Sequence, residues 1–156
     1  ACDLVYSASA FHWIPEKIGY PKVYGMLKPG GAFARFANHP NRDPNRPEMH
    51  EALQEVYAVY MPGTRNDKIY GEEEARERAE AATRYGFVDI RYKLYHRTRT
   101  LTAEEYVQLL CTYSDHVALE EEKRKRFFAE IRQVIERLGG EISIYDTLDL
   151  QLARRP

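Results

Sequence analysis

A strand-like run, Asp3-Leu4-Val5-Tyr6-Ser7, is followed after a helix-length interval by Pro29-Gly30-Gly31 and a second run from Ala32 to Ala37. No other feature constrains the fold as much. Leu4-Val5-Tyr6 is apolar without strict alternation, the pattern of a strand covered on both faces in a parallel sheet. Between the runs, Pro21 suits the first turn of a short helix carrying Val23, Tyr24 and Leu27, which Pro29-Gly30-Gly31 stops. Strand, helix and strand in this order form a βαβ unit, whose right-handed crossover makes the two strands parallel neighbours. The expected class is α/β.

Asn38 to Pro47 is dense in Pro and Asn and reads as a loop. Glu48 to Tyr60 carries Met49, Leu53, Val56, Tyr57 and Tyr60 at helical spacing, and Met61-Pro62-Gly63 ends that segment. A further helix is predicted from Glu72 to Tyr85, closing on Gly86, with a face of Ala and charge suited to a sheet surface. Phe87 to Thr100 alternates, with Val88, Ile90, Tyr92 and Leu94 on one side, as in a half-buried strand. Thr102-Ala103-Glu104-Glu105 fits a capping box and starts a helix whose apolar face is Tyr106, Leu109, Leu110, Tyr113 and Val117. A second helix presents Phe127, Ile131, Val134, Ile135 and Leu138, so the two are expected to form a helical hairpin. Ile142, Ile144, Leu148, Leu150 and Leu152 fall at even positions, a long strand expected to pair antiparallel with the Phe87 strand. The sum is one domain over residues 1–156, a mixed sheet with one parallel pair and one antiparallel hairpin, plus helices.

Charge narrows the possible partners. With 23 basic and 24 acidic residues the net charge is -1, so there is no long-range field to attract nucleic acid or an anionic membrane. Cys2 and Cys111 form no CxxC pair, which argues against a disulfide framework or a thiolate metal site and suits a reducing cytoplasm. No apolar run approaches the roughly 20 residues needed to span a bilayer.

The string DLVYSASAFHW (Asp3 to Trp13), then MLKPGGAFARF (Met26 to Phe36), TYSDHVALEEEKRKRFFAEI (Thr112 to Ile131) and GGEISIYDTLDLQLARR (Gly139 to Arg155) together resemble class I S-adenosylmethionine-dependent methyltransferases of the trans-aconitate and small-molecule type. The resemblance covers nearly the whole chain and is weakest between Asn38 and Gly71. It implies the carboxy-terminal half of a Rossmann-like fold, beginning at its fourth strand, with the late helices covering an acceptor pocket. In that family the cofactor is gripped mainly by a glycine-rich loop after the first strand and an acidic residue ending the second. Neither is present, and Gly30-Gly31 is no substitute, because it follows a helix and precedes a strand. The expectation is a truncated fold that lacks its amino-terminal cofactor-binding strands, so that the fragment alone binds S-adenosylmethionine weakly or not at all.

In open α/β sheets ligands bind at the carboxyl ends of parallel strands, where Ser7 to Trp13 leaves the first one. By resemblance Ser7 and Ala8 border the methionine part of the cofactor, and Phe11, Trp13, Tyr113 and Ser114 border the acceptor. His12 has two readings: a general base or acceptor-positioning donor, or a histidine that only braces the loop. Trp13 is either a wall that excludes water from the transferring methyl or plain core. Tyr106 and Tyr113 share a helix face, for which packing is the simpler account. His39, Asp43, Glu48 and His50 match no ligand spacing, and no metal is expected. The charge runs Glu72 to Glu74 and Glu120 to Arg126 read as solvated helix faces.

The expected activity is methyl transfer from S-adenosylmethionine to a small-molecule acceptor in the intact protein. The alternative is a non-catalytic subdomain or oligomerisation module. A half sheet would leave Leu4 to Ser7 on an open edge, which predicts a homo-oligomer.

Overall fold

The structure is a computed structural model that describes residues 1–65 and 67–156. Four strands form one sheet: β1 (Cys2–Ala8), β2 (Leu27–Asn41), β3 (Val88–Thr102) and β4 (Glu141–Arg154), in the order β1-β2-β4-β3. β1 and β2 are parallel, with Leu4 opposite Ala32 and Ser7 opposite Arg35. β4 runs antiparallel to β3, since its contacts step backwards from Arg154 at Asp89 to Thr147 at His96 and Asp146 at Arg97. The α/β class, the parallel pair and the antiparallel partnership of β3 and β4 are all present.

The chain divides into two compact units. The first comprises residues 1–40, 69–97 and 146–156. After β1 a 3-10 turn at Phe11–Trp13 leads into α1 (Glu16–Met26). Pro21 lies inside α1 rather than in its first turn, and Leu27 already belongs to β2. An interior proline removes one hydrogen bond and crowds the preceding turn. Here Gly19, Tyr20 and Val23 on either side of it are buried, and packing holds the helix across the defect.

Pro29-Gly30-Gly31 does not separate a helix from a strand but kinks β2 itself, where the register against β1 slips between Cys2 and Leu4. Gly30 has φ +78°, and a Cβ on Gly31 would stand 2.9 Å from the Lys28 carbonyl oxygen, so both positions favour glycine for different reasons. β2 also runs on to Asn41, through residues expected to be loop. α3 (Glu72–Glu80) continues as a 3-10 turn to Tyr85, and Gly86 takes the left-handed cap at φ +84°. The unit's core is aromatic: Phe11, Tyr20, Phe33 and Phe87 meet with ring centroids 5.0 to 6.1 Å apart.

Two expectations about strands need correction. β1 is not covered on both faces: it is at the edge of the sheet, and Leu4 and Tyr6 are 54% and 67% exposed. β4 does not bury its even apolar positions throughout. Ile142 and Ile144 are buried, but from Thr147 onward the buried residues are the odd ones, Thr147, Asp149, Gln151 and Ala153, while Leu152 is exposed. β3 is likewise more open than a half-buried strand, with Val88 and Tyr92 exposed and only Ile90 and Leu94 half-buried over that stretch.

The second unit comprises residues 41–68 and 98–145. It holds α2 (Pro47–Tyr60), α4 (Ala103–Leu110), α5 (Ser114–Val117) and α6 (Glu121–Arg137). α4 begins at the expected capping box: Thr102 Oγ1 accepts the Glu105 N–H, and the Glu105 carboxylate accepts the Thr102 N–H. Its buried face is Ala103, Val107 and Leu110, and the helix stops at Leu110, so Tyr113 and Val117 do not extend it and Val117 is exposed. α2 and α4 both pack on α6, whose Phe127, Ile131 and Ile135 are fully buried.

Candidate active site

At the carboxyl ends of β1 and β2, in the first unit, lies a narrow cleft of about 10 Å³. Ser7, Ser9, His12, Arg35, Arg78 and Asp149 are among its lining residues. β1 delivers Ser7 directly opposite Arg35 of β2. The chain then turns sharply, with Ser9 at φ +47° and its N–H donated to the Phe36 carbonyl oxygen. That turn places His12 at the rim, exposed, with no hydrogen bond or ion pair to any described residue.

The sequence-predicted residues separate into distinct environments. Ser7 is half-buried and Ala8 exposed on the strand end. Phe11 lines the cleft yet is 6% exposed, because its ring packs on Tyr20 and Phe33 in the core. Trp13 is 77% exposed and is therefore not core; its ring centroid lies 5.0 Å from that of His12. Tyr113 and Ser114 belong to the second unit. There Tyr113 is half-buried beside His116, and Ser114 is an exposed first residue of α5.

Arg35 lines the cleft. Its Nη1 donates to the Tyr20 hydroxyl at 2.7 Å, and its guanidinium lies over the Phe11 ring at 4.9 Å. Burial raises the Tyr20 pKa, with Arg35 opposing, so the phenol stays a neutral acceptor.

The polar centre was not legible in the sequence. Asp149 of β4 is 2% exposed. Its Oδ1 accepts the Ala37 N–H at 2.8 Å and stands 3.4 Å from His39 Nε2. Its Oδ2 accepts the Tyr70 hydroxyl at 2.6 Å and the Gln151 amide at 2.8 Å, and Arg78 Nη1 is 3.7 Å away. A buried carboxylate is tolerable only with such partners. Burial lowers the His39 pKa, partly countered by Asp149, which shifts the balance towards the neutral imidazole. Burial, then the bond to Asp149, raises that of Tyr70. The available signal was the run of polar residues Asp146, Thr147, Asp149 and Gln151 within an otherwise apolar strand.

In the second unit a chain of hydrogen bonds runs from the exposed Asp115 through the buried His116 to the half-buried Tyr57. Asp115 Oδ1 is 2.7 Å from His116 Nδ1, and His116 Nε2 is 2.9 Å from the Tyr57 hydroxyl. With His116 only 4% exposed, this chain ties α2 to α5 rather than facing a ligand.

No group of His, Cys, Asp and Glu among the described residues could hold a metal ion, and no helix among them is long and apolar enough to cross a membrane. Both cysteines are free and exposed.

The chain matches no protein-family model. An uncharacterized methyltransferase-like protein of Schizosaccharomyces pombe is 27% identical over 132 residues, covering 85% of this chain and 48% of that protein. An uncharacterized methyltransferase of the same organism is 26% identical over 133 residues, covering 85% and 49%. The chain thus spans about half the length of the curated relatives it matches. Among solved structures, one described as a type II methyltransferase candidate from Anaeromyxobacter dehalogenans superposes with a TM-score of 0.57 at 16% identity, over 99% of this chain and 65% of that one. The mixed sheet with its parallel β1–β2 pair thus has the mixed α/β, Rossmann-like fold of that structure.

Proposed function

We propose that the protein to which this chain belongs transfers a methyl group from S-adenosylmethionine to a small-molecule acceptor, with the reaction at the rim formed by Ser7 to Trp13. One observation carries this reading: the parallel pair ends in a turn of small residues, Ala8-Ser9-Ala10, with a free imidazole beside it. Small side chains let a ligand approach the backbone closely, as a sulfonium donor at a strand end requires.

The described residues fit one side of such a donor only. A cleft of about 10 Å³ has room for a water, not a nucleoside. Ser7 and Ala8 would border the methionine part of the cofactor. S-adenosylmethionine, when bound, supplies an electrophilic methyl that needs chiefly alignment. Within this frame His12, with both ring nitrogens unengaged by described residues, accepts a proton from the acceptor. Trp13 borders the acceptor, and Phe11 backs the cleft. The balanced charge fits a cytoplasmic enzyme that uses neither nucleic acid nor membrane. The exposed Leu4 and Tyr6 of β1 fit a homo-oligomer joined along that edge.

The 156-residue chain by itself is read as binding the cofactor weakly or not at all, because a strand followed by a glycine-rich turn and a helix is missing from its sequence. This favours the second reading for the isolated chain, a non-catalytic subdomain. The test is methyl-label transfer by the full-length gene product to a panel of small hydroxyl, amine and carboxylate acceptors. Transfer is expected, with His12→Ala slowing it on the order of 10² to 10⁴-fold. A full-length protein that neither binds S-adenosylhomocysteine nor transfers label overturns the methyl-transfer reading. Calorimetric binding of S-adenosylhomocysteine to the 156-residue chain as tight as to the full-length protein overturns the subdomain reading.

A further inference from the structure

We propose that Asp149 is the positioning residue of the β1–β2 cleft, holding the Ala37–His39 segment, the Tyr70 ring and the Arg78 guanidinium in one arrangement on its acceptor side. The proposal rests on the methyl-transfer reading for its catalytic consequence, but its structural part does not. Asp149 touches no reacting atom in this scheme; it acts through others.

Ala37 and His39 come from β2, Tyr70 from the segment ahead of α3, Arg78 from α3 itself, and Asp149 with Gln151 from β4. Four separate stretches of backbone therefore meet at one carboxylate. Oδ1 accepts the Ala37 N–H and faces His39, while Oδ2 accepts Tyr70 and Gln151, so both oxygens are used and their directions fixed. The Tyr70 ring is in turn stacked on His39 and lies under Arg78, whose charge centre is 5.7 Å from the ring centroid. Arg78 and Asp149 both line the cleft, with Arg78 Nη1 3.7 Å from Asp149 Oδ2. Asp146, the other buried carboxylate of β4, accepts from Asn38 within the same segment and from Arg97, but it does not line the cleft.

A neutral aromatic or aliphatic residue would fill the same volume without a desolvation penalty. A carboxylate provides direction instead: it accepts several donors at once and opposes the Arg78 charge. Misplacing such groups by about 1 Å costs on the order of 10²-fold in rate.

The experiment uses the full-length protein with Asp149→Asn, which keeps the size and removes the charge, and Tyr70→Phe, which keeps the carboxylate and the stack and removes one donor. The first readout is the NMR titration of the His39 ring, faced by Asp149, Arg78, Tyr70 and, at longer range, His12. Asp149 favours the protonated ring, so His39 in Asp149→Asn is expected to titrate at lower pH than in wild type. The second is kinetic: kcat is expected to fall on the order of 10²-fold with KM little changed, and Tyr70→Phe to fall in the same direction by less. A wild-type kcat in a folded Asp149→Asn protein overturns the positioning role, as does an unmoved His39 titration. Should Asp149→Asn fail to fold, Tyr70→Phe decides: an unchanged kcat overturns the proposal and a reduced one at constant KM supports it. Absence of label transfer by the wild type would count against the methyl-transfer reading alone, and the His39 titration would still judge Asp149.

Discussion

The His39 imidazole and the Tyr70 phenol lie face to face, with ring centroids 3.6 Å apart and planes 2° from parallel. The stack directs the Tyr70 hydroxyl at Asp149, 2.6 Å away, so an aromatic contact fixes a polar one.

Tyr70→Phe separates the two. The stack survives, Gln151 still donates to Asp149 Oδ2, and one hydrogen bond to a buried carboxylate is lost. We expect a loss of about 1 to 3 kcal/mol in urea unfolding, and a larger one for Tyr70→Leu, which also removes the ring.

Burial lowers the folded-state pKa of His39 below its ordinary 6.5. The unfolded chain therefore takes up a proton at higher pH than the folded one, and unfolding is favoured as pH falls through 6.5 towards the folded-state value. Stability is expected to rise across that window with increasing pH and to level off above it. His39→Gln should flatten this part of the profile, and thermal unfolding from pH 5 to 8 in both proteins checks it.

Gly30 and Gly31 are adjacent but should respond differently to a methyl group. At Gly30 the space is open and the cost is the positive φ, about 1 to 2 kcal/mol for Gly30→Ala. At Gly31 the new carbon would stand 2.9 Å from the Lys28 oxygen and 3.2 Å from those of Cys2 and Asp3, all of them backbone. Gly31→Ala is expected to cost as much or more and to disturb the β1–β2 pairing. Amide hydrogen exchange at Leu4 and Tyr6 would register that disturbance, and Gly30→Ala should leave it nearly unchanged.

Phe127, fully buried, packs against Tyr57, Tyr60 and Phe128 with centroids 5.0 to 5.5 Å apart. Phe127→Ala is expected to destabilise by about 3 to 5 kcal/mol in guanidinium unfolding. Phe127→Leu should cost clearly less.

The sequence was most legible where local chemistry decides structure. The Thr102–Glu105 box, the left-handed Gly86 and the parallel order of β1 and β2 all follow from residues near one another in the chain. It was least legible where burial depends on distant partners. Asp149 is inside because Tyr70 and Ala37, 79 and 112 positions away, bring it donors, and no periodicity records that. Alternation along β4 correctly marks Ile142 and Ile144 but then misassigns the inner face, where Thr147 and Gln151 are buried among polar groups. Pro21 misled for a related reason: the packing of Tyr20 and Val23 holds a helix that propensity alone would break. Of the candidate site, the Ser7 to His12 rim was legible from strand direction, whereas Arg78 and Tyr70 carried no signal of their own.

The place of β4 between β2 and β3 has a consequence for synthesis. A ribosome that has released β2 and β3 has made two long strands with no ladder between them, because the segment that joins them is still inside the tunnel. Closure across separations of more than a hundred residues is slow. During that wait the nascent protein exposes two unpaired flanks, and slowing translation before Glu141 should raise its demand for chaperones.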